Sequence, residues 1–109
     1  MIHKTPFFAA MALALTGLFG GTSLAYAQTT STTGTVESVH GDPGQYFVIA
    51  LSQAGRCGSK FFHIDRSTAN YKDMVAISLT AFSANKRMTV YVTSCSGERN
   101  IISHGGAYR

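Results

Sequence analysis

The sequence predicts a small α+β domain, mainly β, in which one helix interrupts a series of five strands. Short runs rich in β-branched and aromatic residues recur between clusters of Gly, Pro, Asn and Asp, the pattern of strands joined by tight turns. Partway along, apolar residues change from alternating to recurring every three or four positions, from Tyr71 to Phe82, the pattern of an amphipathic helix. A third observation sets the domain's limits. Met1 to Lys4 is positively charged, Pro6 to Leu18 is mostly apolar, and Ala25-Tyr26-Ala27 supplies the small-x-small site that signal peptidase cuts.

Residues 1–27 are therefore expected to be a cleaved signal peptide, leaving residues 28–109 as one exported domain, periplasmic or secreted. Gly17, Gly20, Gly21 and Ser23 interrupt the apolar run before it reaches the ~20 residues a membrane span needs. No span is expected after cleavage.

Gln28 to Thr33 is a polar Thr/Ser run, read as a flexible new N-terminus. Gly34 to His40 alternates and reads as the first strand. Gly41-Asp42-Pro43-Gly44 is a turn, because Pro presets φ and Gly accepts positive φ. Tyr46 to Leu51 is too short for a typical helix and reads as a buried strand, forming a hairpin with the first. Ser52 to Gly58 is a loop carrying Cys57, and Lys60 to Ile64 is the third strand. In the helix, Tyr71, Met74, Val75, Ser78, Leu79 and Phe82 share one face, expected to face the core. Ser67 or Asn70 caps its start, Asp73 suits its first turn, and Asn85 closes it. Met88 to Cys95 alternates as the fourth strand. Ser96-Gly97-Glu98 turns, Asn100 to His104 is a short fifth strand, and Gly105 to Arg109 is a tail.

Five strands with the helix between the third and fourth suit an oligonucleotide/oligosaccharide-binding (OB) fold-like barrel. A domain this small has a marginal core. Cys57 and Cys95 are the two cysteines of the chain. In an oxidising compartment they allow one internal disulfide, worth roughly 4 kcal/mol in the loop-entropy account. An intermolecular bridge or a reactive thiol are the alternatives. Approach of their α-carbons within disulfide range tests the topology.

The composition narrows the function. Beyond the leader, eight Lys and Arg stand against five Asp and Glu, a net +3. These charges are scattered and form no nucleic-acid stripe. His40, His63 and His104 lie on separate elements without metal-ligand spacing, so no metal or cofactor is expected. There is no Gly-x-Ser-x-Gly elbow and no convincing acid pair. The chain reads as a binder rather than an enzyme. On the helix's far face, Ala69, Ala76, Ile77, Thr80 and Ala84 carry little charge. Ile77 there hints at cover by a neighbour, such as a second copy in a homo-oligomer.

Several segments resemble the B subunits of AB5 toxins, of the subtilase-cytotoxin type. Thr33-Gly34-Thr35-Val36 resembles the small-Gly-Val-Val opening of their first strand, and Tyr46-Phe47-Val48-Ile49 their Tyr-Phe-Cys-Ile strand. Cys57 matches a loop cysteine. Tyr71 to Lys86 resembles the central helix, and Met88 to Tyr91 the strand that leaves it. The resemblance spans about sixty residues and implies a small exported barrel that assembles into a ring and binds cell-surface glycans. Thr33 matches a sugar-contacting serine. Val92 stands where those subunits have a glycan-contacting tyrosine, and Val48 where they have a cysteine, which leaves Cys95 to partner Cys57. Tyr46, Tyr91 and Tyr108 are the other parts available for a glycan site. The alternative function is a monomeric accessory protein, an inhibitor or assembly factor acting on a protein partner.

Overall fold

The structure is a computed structural model that describes residues 29–109. The expected signal peptide and its cleavage point lie outside the described residues. Five strands and one helix follow in the order β1 (Thr30–Gly41), β2 (Tyr46–Leu51), β3 (Phe61–Asp65), α1 (Tyr71–Ala84), β4 (Arg87–Ser96) and β5 (Arg99–Tyr108). The domain is mainly β, with its one described helix between the third and fourth strands, as the period change predicts.

The sheet closes on itself in the order β1-β2-β3-β5-β4. Closure depends on β1 serving two neighbours. Its first half, Thr30 to Thr35, pairs with β4, and its second half, Val36 to Gly41, pairs with β2. An irregularity between Val36 and Ser38 separates the halves, and such a bulge bends a strand and sharpens its twist. The remaining seam is the parallel pairing of β3 with β5, from Phe62↔Asn100 to Ile64↔Ile102. A closed sheet leaves no unpaired edge along which another chain could aggregate.

The pairings extend two elements beyond their expected limits. Thr30 to Thr33, read as flexible, are strand residues paired with Val92 to Thr89. Local polarity hid this, because Thr and Ser gain their order from the partner strand. Gly105 to Tyr108, read as a tail, continue β5 against Val90 to Arg87. Glycine is required there: a Cβ on Gly105 would sit 2.5 Å from the Thr89 carbonyl oxygen and 3.2 Å from Val90 Cα.

Inside the ring, Ile49, Leu51, Phe62, Met88, Val90 and Val92 are each fully buried. Helix α1 packs Met74 and Ala81 into the same cluster, with Tyr71 and Ile77 beside them. The expected inner face is therefore rotated. Met74, Ser78 and Ala81 are its buried residues, whereas Leu79 and Phe82 stay 42% and 43% exposed. Ile77, expected to point away, packs against the core. Small Ser78 and Ala81 let the helix sit close to the ring, and the Ser78 hydroxyl returns its hydrogen bond to the Met74 carbonyl at 2.7 Å. Both helix ends match expectation in position. Asn70 is the N-cap residue, but its side chain makes no capping bond; it donates instead to the Ser103 carbonyl at 2.9 Å. Asn85 closes the helix in the left-handed region at φ 54°.

Cys57 and Cys95 are disulfide-bonded, with α-carbons 5.6 Å apart. The bridge ties the β2–β3 loop to the end of β4. Beside it, Asn100 is fully buried. Its amide oxygen accepts from the Cys57 N–H at 2.9 Å, and its amide nitrogen donates to the carbonyls of Ser59 and Phe61 at 2.9 and 3.0 Å. A disulfide to β4 and a buried amide from β5 thus hold this loop.

Candidate functional site

Two surfaces of the ring gather chemistry-bearing side chains. The first is the outer face of β1, β4 and β5. In β4, Met88, Val90 and Val92 point inward and are fully buried, so alternation turns Arg87, Thr89 and Tyr91 to the outer face, where Arg87 is exposed, Tyr91 is partly exposed and Thr89 is covered to 9% exposure. The register sets Ser31 opposite Tyr91 and Thr33 opposite Thr89 on one side. On the other side, His104 lies opposite Tyr91, Gly106 opposite Thr89, and Tyr108 opposite Arg87.

Thr33 is exposed on this face, its hydroxyl 2.7 Å from the Thr89 hydroxyl. Tyr91 and His104 stack with ring centroids 4.3 Å apart and planes 9° from parallel. The Ser103 hydroxyl and His104 Nδ1 lie 2.7 Å apart and steady the imidazole. Thr33 is the diagonal neighbour of Tyr91 across β1 and β4, a relation in which residues typically stand about 7–8 Å apart. Gly106 contributes no side chain between the Tyr91–His104 pair and Tyr108, and the Tyr108 hydroxyl lies 4.0 Å from where a Cβ on Gly106 would sit.

Val92 is fully buried and faces the core, and the adjacent Tyr91 is partly exposed on the outer face. Of the expected parts, Thr33, Tyr91 and Tyr108 share this face, while Tyr46 lies elsewhere. His104 and Thr89 were not anticipated. Strand parity pointed Thr89 and Tyr91 outward together, but His104 required the register between β4 and β5.

The second surface is a groove of about 370 Å³ lined by His40, Asp42, Val48, Ser59, Phe61, His63, Glu98 and Arg99. Asp42, His63 and Arg99 also line an adjoining depression beside Pro43, Gly44, Gln45 and Tyr46. The groove thus runs over β2 and β3, between the β1–β2 turn and the β4–β5 turn. Arg66 holds the first turn in place. Its guanidinium donates to the carbonyls of Asp42 and Gly44 at 2.7 and 3.0 Å, and to the Tyr71 hydroxyl at 2.8 Å. Asn100 and Ser59 hold the other side through the Phe61 main chain.

Phe61 is 45% exposed in this groove, with the His40 ring tilted against it at 6.2 Å. His63 lies deeper, 7% exposed, with Tyr46 edge-on to its ring at 5.4 Å. Its Nδ1 is sealed from solvent and makes no hydrogen bond. Burial holds the His63 pKa below the ordinary histidine value. The nearby Asn100 main chain and Asp42 oppose that shift, and Arg99 reinforces it. The one ion pair among the described residues is Lys60 with Glu37, both half-exposed. Asp42, Glu98 and Arg99 therefore line the groove without salt-bridge partners. Among the described residues, no three His, Cys, Asp or Glu side chains converge as metal ligands, and no helix is long and apolar enough to cross a membrane.

The chain matches no protein-family model and no curated protein sequence.

Proposed function

We propose that this chain is an exported, non-enzymatic module that binds glycans through the outer face of β1, β4 and β5. One observation carries the reading: a stacked Tyr91–His104 pair shares a face with the Thr33–Thr89 hydroxyl pair. Sugars present alternating apolar C–H patches and hydroxyls. Aromatic rings with a polar handle take the former, and neighbouring Thr and Ser hydroxyls exchange hydrogen bonds with the latter. The sequence resemblance to toxin B subunits supports the same face, because Thr33 is the residue it singles out. The closed five-stranded ring, with its helix between the third and fourth strands, is read here as an OB-type barrel. Assembly into a homo-oligomer belongs to the proposal, with exposed Leu79 and Phe82 as apolar surface available for a second copy.

The test is a glycan array probed with the folded, oxidised protein beside its Tyr91→Ala and Thr33→Ala variants. At least one glycan class is expected to bind, with affinity reduced at least tenfold by Tyr91→Ala. No binding by the folded protein refutes the reading. A solution mass determines the assembly separately, and a monomer that binds no glycan would return the accessory-protein alternative to first place.

A further inference from the structure

We propose that the Asp42–Pro43 peptide bond is a self-cleavage site, at which the Asp42 carboxyl attacks its own main-chain carbonyl and the Arg66 guanidinium holds the charge that develops there. The mark of the site is where Arg66 aims its donors. Its Nη2 donates to the Asp42 carbonyl oxygen at 2.7 Å, and that oxygen belongs to the bond to be cut. A fixed, charged donor on an acyl oxygen stabilises the oxyanion that attack creates.

Arg66 is held from several directions. Its Nε donates to the Gly44 carbonyl at 3.0 Å and its Nη1 to the Tyr71 hydroxyl at 2.8 Å. Its main-chain N–H donates to the Gln45 carbonyl at 2.9 Å, and its guanidinium carbon lies 5.5 Å from the centre of the Tyr71 ring. One side chain therefore grips the carbonyls on both sides of Pro43. The turn is anchored at its base by the Gly41↔Phe47 pair, and Gly41 to Gln45 are all exposed, so water reaches the bond. No ion pair among the described residues draws the Asp42 carboxyl away from its own carbonyl.

The chemistry uses only Asp, Pro and water. Attack of a carboxyl oxygen on the Asp42 carbonyl carbon closes a cyclic anhydride, a ring closure favoured because both groups sit on one residue. The C–N bond breaks, and its electron pair stays on the Pro43 nitrogen, which takes the carboxyl's proton. That nitrogen is a tertiary amide with weakened double-bond preference, which makes it the better leaving group. Water then opens the anhydride. Asp42 becomes a new C-terminus and Pro43 a new N-terminus; the sum is hydrolysis, with nothing oxidised or reduced.

The cut separates β1 from the rest of the chain. Cys57 and Cys95 both lie beyond Pro43, so the disulfide does not span it. The ladders to β4 and β2 keep β1 in the ring, and Thr33 then sits on a strand held without a covalent link.

The experiment is intact-mass spectrometry of the folded, oxidised protein held for days in mildly acidic buffer, with samples denatured but not reduced. Two fragments are expected, one ending at Asp42 and one beginning at Pro43, whose masses sum to the parent plus one water. Asp42→Ala is expected to abolish them, and Arg66→Ala, checked as folded by its amide spectrum, to slow them at least fivefold. The parent unfolded in urea at the same pH is expected to cleave at least tenfold more slowly, since the guanidinium no longer sits on the carbonyl. A folded parent that stays uncut overturns the proposal. An equal rate in urea or in folded Arg66→Ala also overturns it, as the ordinary acid lability of an Asp–Pro bond, and so does cutting that survives Asp42→Ala, as the work of a contaminating protease.

Discussion

Asn100→Ala removes a side chain that serves three main-chain groups at once. The Cys57 N–H and the carbonyls of Ser59 and Phe61 each bond to its amide at 3.0 Å or less. A neutral hydrogen bond contributes about 1 kcal/mol net, and a group left unpaired inside costs more. Three bonds at a fully buried residue give an expected loss of about 3–5 kcal/mol. Domains of this size have roughly 4–12 kcal/mol in total, and each kcal/mol moves Tm by about 4–8 °C. The variant is expected to melt at least about 12 °C lower with its disulfide intact. Asn100→Asp is expected to do no better, because a carboxylate would face two carbonyls. The companion test is Gly55→Ala, whose Cβ would collide with the Asn100 amide and the Phe62 ring. Combined with Asn100→Ala it should cost less than the sum of the two, since one collision partner is gone. Urea and thermal unfolding of the oxidised proteins measure these values. A loss below about 1 kcal/mol for Asn100→Ala would refute the idea that this amide pins the β2–β3 loop.

Further outcomes follow from the same contacts. Replacing both cysteines with serine frees a closure spanning a sequence separation of 38 and should cost roughly 4 kcal/mol in the loop-entropy account, read by denaturant unfolding against the oxidised parent. Gly105→Ala drives a methyl into the Thr89 carbonyl and should separate the ends of β4 and β5, visible as faster amide exchange at Val90 and Gly106. Arg66→Ala removes the three hydrogen bonds that fasten the β1–β2 turn to the helix start; amide exchange at Gly44 and Gln45 should quicken, with Lys restoring only part. For pH, the folded-state His63 pKa lies below its unfolded value near 6.5. The unfolded chain then binds the extra proton, so this contribution is complete above about pH 6.5 and declines as the pH falls from there towards the folded pKa. His63→Gln should flatten that part of the stability–pH curve; an unchanged slope would count against a buried neutral imidazole.

Asp65 contributes at lower pH. The Ser67 N–H and hydroxyl, and the Gln45 amide, all donate to its carboxylate. The first two, followed by Gln45, hold its pKa below the ordinary aspartate value. Its contribution is present above the unfolded aspartate pKa and lost as the pH falls through the folded one. Asp65→Asn should therefore remove part of the acid sensitivity of the turn before α1, measured by the pH dependence of amide exchange at Ser67 and Thr68.

The chain by itself determined the order of elements, the hairpin across Gly41 to Gln45, the left-handed close of the helix at Asn85 and the available disulfide. These rest on local φ/ψ preference, on hydrophobic period and on having two cysteines to pair, all of which are properties of short stretches or of composition. Tertiary structure decided the rest. It turned Leu79 and Phe82 outward because the ring accepts small Ser78 and Ala81 against it, a fit that helical period alone does not encode. It made strand residues of Thr30 to Thr33 and Gly105 to Tyr108, because their order comes from partners more than fifty residues away for β1 and about twenty for the end of β5. It brought His104 to Tyr91, and Asp42 and Glu98 to His63, because strand register and ring closure determine which distant side chains meet. Asn100 shows the limit most plainly: in the sequence it is one polar residue at a strand start, and in the fold it is a buried amide on which three main-chain groups converge.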